Sequence, residues 1–261
     1  MGNFYWGEIE KERMEKYLEL IEKDGFSVFK EKLYFEDRNL YDFIFSEVRA
    51  DWRFCLEIKN NWRVLDAGAG LGANAFVLAR EAAEVFALEK SFLRAKFLKL
   101  RKEEEKQNNL KILVGDALIL PFEDNSFDLV VANGLFEWLG TSEEFKSPAQ
   151  AQRRFLEEAR RVLKKDGYLY IGIENRLALV YFFGGRDHSG LRLTSWMPRV
   201  LANFYTKLKT KKEYRTYTYT KKSYGGILRK AGFKNIEFFL PLAGYNIPKY
   251  IVPYEHLKRF A

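Results

Sequence analysis

The pattern of apolar positions along the chain changes character near residue 61. Before this point, residues 8–23 and 40–54 repeat apolar side chains at helical spacing, and the second stretch is rich in aromatic residues. The pattern predicts a helical N-terminal cap over residues 1–60. Because aromatic residues at helical spacing usually belong to a core, we expect them to pack against the rest of the protein; closure of a substrate pocket is the alternative.

From residue 61 to residue 261, short apolar runs alternate with helical stretches, which is typical of a parallel sheet with crossover helices. This predicts an α/β domain with one mostly parallel sheet, helices on both faces, and an insertion at 175–222 that is too long for a plain connection. The predicted helices are 74–82, 91–105, 149–163 and 222–231, and the seven predicted strands are 63–67, 85–89, 111–115, 127–132, 168–173, 236–240 and 250–252.

A glycine-rich turn joins the first predicted strand of this domain to its first helix, and it reads DAGAGLGA from Asp66 to Ala73. Glycine permits the tight turn and lets backbone N–H groups approach a ligand closely. Gly68, Gly70 and Ala73 satisfy the dinucleotide-binding fingerprint. Gly68, Gly70 and Gly72 fit an adenosylmethionine-type loop equally well. The turn alone therefore leaves two cofactors open.

Acidic residues near the predicted strand ends favour the second cofactor. Asp66 stands just before the turn, where its carboxylate would repel a pyrophosphate but suits a cationic ligand. Glu89 ends the second predicted strand and could accept hydrogen bonds from ribose hydroxyls in either case. Asp116 follows the third strand, where a side chain can reach an adenine amino group.

Composition limits the classes of cofactor and partner that the chain can have. The chain of 261 residues is 47% hydrophobic, enough for a sizeable core, and a single cysteine, Cys55, excludes an internal disulfide and a cysteine-based metal cluster. With only two histidines, we expect no bound metal. The net charge of +8 permits an anionic partner such as nucleic acid, a phosphorylated lipid carrier or a membrane surface, without requiring one.

The N-terminal residues Met1–Trp6 lack the features of a secretion signal, and no apolar run is long enough to span a membrane. We therefore expect a cytoplasmic protein, with peripheral membrane contact as an option. Abundant lysine and glutamate also suit a heat-adapted organism. The oligomeric state stays open.

Four segments resemble the motifs of class I S-adenosylmethionine-dependent methyltransferases, in particular the type 11 methyltransferases: VLDAGAGLG, VFALEKS, GDALILPFEDNSFDLVVANGLFEWL and FLEEARRVLKKDGYLYIGI. The resemblance is dense over residues 61–175 and implies a Rossmann-like fold with S-adenosyl-L-methionine as cofactor. It implies that the glycines line the methionine side near Asp66, that Glu89 binds the ribose, and that Asn133 borders cofactor and acceptor. The full predicted cofactor site is Asp66, Gly68, Ala69, Gly70, Gly72, Glu89, Lys90, Asp116, Ala117 and Asn133.

The residues after the fourth predicted strand, NGLFEW from Asn133 to Trp138, depart from the Asn/Asp-Pro-Pro-aromatic tetrad of many nitrogen-methylating members. They look more like the small-molecule and carbohydrate methyltransferases, although many of those carry a histidine where this chain has Trp138. Three candidate catalytic residues follow. We predict His188 as a general base with Asp187 or Glu174 as its orienting partner, and Glu137 beside the acceptor. A surface histidine without a role is the alternative.

The predicted acceptor-binding residues are Asn175, Arg176, Arg186 and Asp187, whose arginines could hold a phosphate or carboxylate or be ordinary surface arginines. Segments of the insertion and C-terminal part, such as IENRLALVYFFGGRDHSG, resemble uncharacterised bacterial and archaeal methyltransferases, some associated with surface-glycan assembly. We therefore expect methyl transfer to a small-molecule or glycan-type acceptor, on oxygen. The alternatives are an RNA methyltransferase, suggested by net charge and the Lys/Tyr-rich run 207–222, a non-catalytic interaction module of the same fold, and, more remotely, a nicotinamide oxidoreductase.

Overall fold

The N-terminal region is helical in the computed structural model, which describes residues 8–142 and 144–257. Helix α1 spans Glu8–Asp24, α2 spans Phe26–Glu36 and α3 spans Arg38–Phe45. A 3₁₀ helix, Glu47–Cys55, follows. The prediction of one helix over 40–54 is wrong, because Ser46 takes an extended conformation (ψ 122°) that separates α3 from the 3₁₀ helix. The N-terminal sequence Met1–Trp6 lies outside the described residues.

The helices of the N-terminal region pack mainly against α5 (Phe92–Glu104). Met14, Leu18 and Ile44 are buried in one cluster with Phe97 of α5. The interpretation of these apolar positions as core residues is thus confirmed for most of them. Two aromatic residues differ, because Phe43 lines the cleft described below and Phe54 is 74% exposed.

Five parallel strands form the main sheet in the order β3-β2-β1-β4-β5. The chain runs from β1 outward to β3 and then returns to place β4 beside β1. The carboxyl ends of β1 and β4 therefore flank the point where strand order reverses, which is where open α/β sheets bind ligands. The strands are β1 (Arg63–Ala67), β2 (Glu84–Glu89), β3 (Leu110–Val114), β4 (Phe127–Asn133) and β5 (Leu163–Gly172).

Helices cover both faces of this sheet, as predicted. Successive residues of β1 point to opposite faces, so Val64 packs with α4 (Ala75–Leu78) and α5, whereas Leu65 packs with α6 (Pro148–Val162). Both side chains are fully buried. The α/β, Rossmann-like fold class is confirmed.

The predicted sheet of seven strands is wrong. Strands β6 (Phe239–Leu242) and β7 (Tyr250–Pro253) pair with each other in antiparallel register as a separate two-stranded sheet. Each contains a proline, Pro241 or Pro253, which has no N–H to donate to a neighbouring strand. The pair therefore has fewer donors with which to extend the main sheet beyond β5.

The insertion after β5 holds helices α7 (Leu179–Phe182) and α8 (Arg199–Thr210), neither of which the sequence pattern predicts. Helix α9 (Lys221–Lys230) restores the predicted order, and α10 (Tyr254–Leu257) ends the described chain. Within residues 8–142 and 144–257, no helix combines the length and apolar character needed to cross a bilayer.

Candidate active site

A cleft of about 840 Å³ lies at the carboxyl edge of the main sheet. The turn after β1, the ends of β2, β3 and β4, and part of the insertion contribute its walls. Of the ten predicted cofactor residues, all but Asp66 and Gly72 line this cleft: Gly68, Ala69, Gly70, Glu89, Lys90, Asp116, Ala117 and Asn133.

Two of the three glycines in the turn after β1 face packed protein and one faces open space. All have positive φ, which side chains rarely adopt. A Cβ on Gly68 would lie 2.7 Å from Leu135, and one on Gly72 would lie 2.7 Å from Phe76. A Cβ on Gly70 would meet nothing within 4 Å. The missing side chain of Gly70 therefore leaves room for a ligand in the cleft. At Gly72, the packed ring of Phe76 leaves no room for a Cβ.

Glu89 connects the glycine turn to the end of β2 by hydrogen bonds. Its side chain is only 4% exposed, yet it lines the cleft. One carboxylate oxygen accepts the N–H of Gly70 at 2.9 Å, and the other accepts the N–H of Ser91 at 2.9 Å. A carboxylate has about four lone-pair sites, so Glu89 can hold the turn and still accept hydrogen bonds from a ligand.

Asp116 is held in a similar way at the end of β3. Its Oδ1 accepts the N–H of Leu118 at 2.9 Å, and Lys90 Nζ donates to Oδ2 at 2.6 Å. The Lys90 side chain is 67% exposed. The backbone contact therefore fixes Asp116, and the exposed lysine adds little.

Charged groups at the inner end of the cleft and behind its lining are different, because they are buried without complete hydrogen bonding. Asp66 is 2% exposed and its Oδ2 has no partner among the described residues. Burial raises the pKa of Asp66 to about 7, although the backbone N–H of Ala75 and the Arg49 charge act in the opposite direction. Arg49 is 6% exposed, and burial lowers its pKa to about 10.

Arg49 was not among the predicted site residues. Its Nε and Nη1 atoms have no partner in the described part of the chain, and its guanidinium carbon lies 3.7 Å from the centre of the Phe43 ring. Its backbone oxygen accepts from Asn133 Nδ2 at 3.4 Å, which links it to the end of β4. The sequence signal was weak, because Arg49 is one of two arginines within an aromatic-rich stretch.

Glu137, Glu174 and His188 come together beside this buried region. His188 Nε2 lies 3.0 Å from Glu174 Oε2 and 3.7 Å from Glu137 Oε1. The indole ring of Trp138 lies 5.0 Å from the imidazole, centre to centre. All three candidate catalytic residues are therefore in contact range, and Glu174 rather than Asp187 is the partner of His188 Nε2. Their ligand atoms lie within 4.8 Å of one another, a spacing that could also hold a metal ion.

The protonation of this cluster follows from the burial of its members and from the charges they exert on one another. Glu137 is completely buried, which raises its pKa, and the Glu174 charge raises it further while His188 lowers it. Burial would lower the pKa of His188, but the hydrogen bond and charge of Glu174 and the charge of Glu137 outweigh it and raise that pKa to about 9. Near neutral pH the cluster therefore carries a protonated imidazole between two acids.

Tyr245 is a further residue that the sequence pattern missed. Its hydroxyl donates to Glu137 Oε1 at 3.4 Å, and it lines the cleft. Burial and the charges of Glu137 and Glu174 raise its pKa well above the usual range, so the phenol stays protonated. Only its position in the segment LPLAGYNIP, between β6 and β7, could have drawn attention to it.

The four predicted acceptor-binding residues separate into two pairs. Arg186 and Asp187 line the cleft. The Asp187 carboxylate, however, also accepts hydrogen bonds from several neighbours and so holds its own loop together. Arg176 donates to the backbone oxygens of residues 195 and 197, and the exposed Asn175 accepts the N–H of residue 177. The contacts of Arg176 and Asn175 lie within the insertion.

Residues 65–171 match a protein family described as a methyltransferase domain. A demethylmenaquinone methyltransferase of Thermotoga maritima is 34% identical over 143 residues, which cover 54% of this chain and 55% of that protein. A malonyl-[acyl-carrier protein] O-methyltransferase of Geobacter sulfurreducens is 36% identical over 107 residues, covering 40% of this chain and 36% of that protein. A probable ribosomal RNA small subunit methyltransferase A of Thermococcus sibiricus is 38% identical over 77 residues, covering 30% and 26%.

The chain spans between 20% and 55% of the length of these and the other curated relatives it matches. Among solved structures, a SAM-dependent methyltransferase from Methanosarcina mazei aligns with a TM-score of 0.55 at 19% identity, over 76% of this chain and 92% of that one. A possible histamine N-methyltransferase from Thermotoga maritima aligns with a TM-score of 0.52 at 21% identity, over 91% of each chain. At these identities the likeness concerns the fold.

Proposed function

We propose that this chain, which belongs to the class I S-adenosylmethionine-dependent methyltransferases, transfers a methyl group to an oxygen of a small-molecule or glycan-type acceptor. One observation carries the proposal for an oxygen acceptor. The cluster of buried Glu137 with half-buried Glu174 and His188 opens on the same cleft as the glycine turn after β1, and it offers an imidazole that can exchange a proton.

The chain's own residues fit the charges of S-adenosylmethionine. The methionine end of that cofactor carries an ammonium and a carboxylate. The cleft offers the guanidinium of Arg49, and the carboxylate of Asp66 is buried next to the glycine turn that lines the cleft. Each has at least one polar atom without a partner among the described residues. Because an unpaired buried polar group costs about 1–3 kcal/mol, a ligand that completes both sets of hydrogen bonds is favoured there.

At the other end of the cleft, Glu89 and Asp116 suit the ribose and adenine. Both carboxylates are already fixed by backbone N–H groups and so need little ordering when a ligand arrives. When bound, the cofactor supplies an electrophilic methyl group on a sulfonium, so positioning of the acceptor and exclusion of water carry most of the rate.

A hydroxyl acceptor must also lose its proton, and the cluster supplies a group for this. In the form in which His188 is neutral, its Nε2–H donates to Glu174, so the other ring nitrogen, Nδ1, is the one that accepts the proton, and Glu174 stabilises the imidazolium that results. Glu137, held by the Tyr245 hydroxyl, lies 3.7 Å from the same ring nitrogen, Nε2, and adds to the acidic surroundings of the imidazole. An amine acceptor with a free lone pair would not need this group, so the cluster favours oxygen over nitrogen.

The test is release of S-adenosylhomocysteine with a panel of hydroxylated acceptors, namely sugar phosphates, glycolipid headgroups and quinols, measured between pH 6 and pH 10. We expect kcat/KM to rise with pH and to level off above about 9, where His188 is neutral. His188→Gln should lower kcat by about 10²–10⁴-fold, the usual contribution of a general base. His256→Gln, at the exposed histidine of α10, is the matched control and should leave kcat unchanged.

Three results would overturn the proposal. Turnover restricted to amines with no dependence on His188 would remove the oxygen acceptor. Methylation of RNA, with binding that weakens steeply as salt rises, would replace the small acceptor. Loss of activity on adding a chelator, reversed by a divalent cation, would mean that Glu137, Glu174 and His188 bind metal instead of exchanging a proton.

A further inference from the structure

Helix α8 presents its apolar residues to solvent and its small or polar residues to the protein. Val200, Leu201, Phe204 and Leu208 are between 56% and 80% exposed and occupy one stripe of the helix. The opposite side is buried and contains Ala202 at 0% and Thr206 at 2% exposure. A helix that packs on a water-soluble surface normally has the reverse arrangement.

The short helix α7 adds to this exposed surface. Its residues Leu179, Val180 and Phe182 are 71%, 59% and 59% exposed, and Phe183, which follows the helix, is 80% exposed. The Phe182 ring lies 5.5 Å from the ring of Trp196, which precedes α8, so α7 is linked to the start of α8. We refer to these four side chains and those of the α8 stripe as the apolar face. Most monomeric proteins expose apolar residues singly, whereas residues 179–208 hold ten exposed large ones, eight of them in the apolar face, which marks a contact surface.

Several lysines lie in the last turn of α8 and directly after it. Lys209, Lys211 and Lys212 are exposed and form no ion pair with another residue that the structure describes. Lys207, one turn earlier, pairs with Glu213 at 3.0 Å. This combination of large apolar side chains with flanking lysines is typical of helices that lie in the interface of an anionic membrane.

The charge pattern argues against other occupants. Interfaces between protein subunits are depleted in lysine, so a second copy of the chain would bury these cations unfavourably. Nucleic acid would satisfy the lysines but would leave Val200, Phe204 and Leu208 in contact with phosphates or water. An anionic bilayer satisfies both sets of side chains, because its headgroups attract lysine while its acyl region accepts the apolar residues.

The apolar face is also continuous with the cleft. Tyr181 of α7 is 5% exposed and lines the cleft, while its neighbours Val180 and Phe182 point outward. Arg186 and His188, in the segment after α7, also line the cleft. A surface that rests on the apolar face would therefore lie beside the acceptor side of the site.

We propose that the apolar face and its lysines form a docking surface for an anionic membrane, which holds the acceptor side of the cleft at the lipid headgroups. Docking does not depend on the reaction proposed above, because vesicle binding is measured without a methyl acceptor. The narrower statement that the acceptor is carried by a lipid headgroup rests on the proposed function.

The experiment is flotation of the full chain with vesicles of phosphatidylcholine, with and without phosphatidylglycerol. Wild type should float with the anionic vesicles, and less so as salt rises. Phe204→Ser combined with Leu208→Ser should reduce binding by about tenfold or more, because two inserted side chains are lost. Lys209→Glu combined with Lys212→Glu should abolish the preference for anionic lipid.

The matched control is Phe35→Ser, because Phe35 is also a phenylalanine on a helix, is 76% exposed and lies on α2. It should float like wild type. All variants replace exposed side chains, and an unchanged melting temperature and S-adenosylmethionine affinity verify that the fold is intact. If wild type fails to float, if Phe35→Ser loses as much binding as the α8 variant, or if the α8 variant instead dissolves a dimer seen by light scattering, the membrane-docking proposal is wrong.

Discussion

Two groups of charged residues in or beside the cleft differ in how completely the protein satisfies their hydrogen-bonding atoms. Glu89 and Asp116, the strand-end carboxylates, each accept hydrogen bonds from neighbouring residues at both oxygens. Asp66, Arg49 and Glu137, the buried inner charges, each retain at least one polar atom without a partner in the described structure. Burial shifts the pKa of every member of the second group.

The strand-end carboxylates and the buried inner charges therefore have different roles. Satisfied carboxylates stabilise the turn and strand ends, so their geometry is fixed before a ligand binds. Buried groups with unused hydrogen-bonding capacity are destabilising for the free protein and are typical of sites that a ligand completes. We therefore expect substitutions of the strand-end carboxylates to affect the fold and the cofactor together. Substitutions of the buried inner charges should affect ligands while the fold is spared.

Arg49→Met should give the largest change in cofactor affinity. Loss of charge-assisted hydrogen bonds worth about 1.5–3 kcal/mol predicts S-adenosylmethionine binding weakened by about 10- to 100-fold. The melting temperature should stay the same or rise, because a buried charge with two unpaired nitrogens is replaced by an apolar side chain of similar length. Calorimetric titration and thermal unfolding measure the two effects.

The control for this variant is Arg53→Met. Arg53 lies on the same 3₁₀ helix but pairs with Asp51 and Glu81 away from the cleft. It should lose some stability and keep its cofactor affinity. Equal losses of affinity in both arginine variants would erase the distinction between the buried inner charges and their surroundings.

Glu89→Gln should lower the stability of the fold and the cofactor affinity together. The amide nitrogen of glutamine cannot accept, so the N–H of either Gly70 or Ser91 loses its partner and the turn after β1 loosens. We expect about 1–3 kcal/mol less stability in urea unfolding, together with roughly tenfold weaker S-adenosylmethionine binding. Glu103→Gln, at an exposed position on α5, serves as the control. A variant that keeps wild-type stability would show that Glu89 does not support the turn.

Lys90→Met should have the smallest effect. The ion pair between Lys90 and Asp116 is exposed on the lysine side, and such pairs contribute about 0–1 kcal/mol. Asp116 keeps its hydrogen bond from the backbone N–H of residue 118, so cofactor affinity should fall by no more than about fivefold. A larger loss, measured in the same titration, would mean that Lys90 contacts the ligand directly.

The strands and the glycine turn could be predicted from sequence because their signals are local. The bounds of β1, Arg63–Ala67, coincide with the prediction, since a buried strand appears in the sequence as an apolar run that a turn ends. The positions of β6 and β7 could not be predicted in this way. Which strands pair depends on contacts between distant segments, and an apolar run does not specify its neighbour.

The candidate site was predictable in part for the same reason. His188 follows Glu174 by 14 residues, and their hydrogen bond was anticipated as one of two options. Arg49 was not anticipated, because its relation to Asp66 exists only after the N-terminal region folds onto the sheet. The outward face of α8 was also hidden, because an apolar stripe at helical spacing is the same in sequence whether it faces a core or solvent.

The most direct test of the central claim is calorimetric titration of S-adenosylmethionine into wild type and His188→Gln under identical conditions. We expect a heat of binding for wild type, the same affinity for His188→Gln, and turnover lost only in the variant, since His188 serves the acceptor and not the cofactor. No heat with wild type would contradict the assignment of the cleft. An affinity lost in His188→Gln would contradict the separation of cofactor and acceptor roles within it.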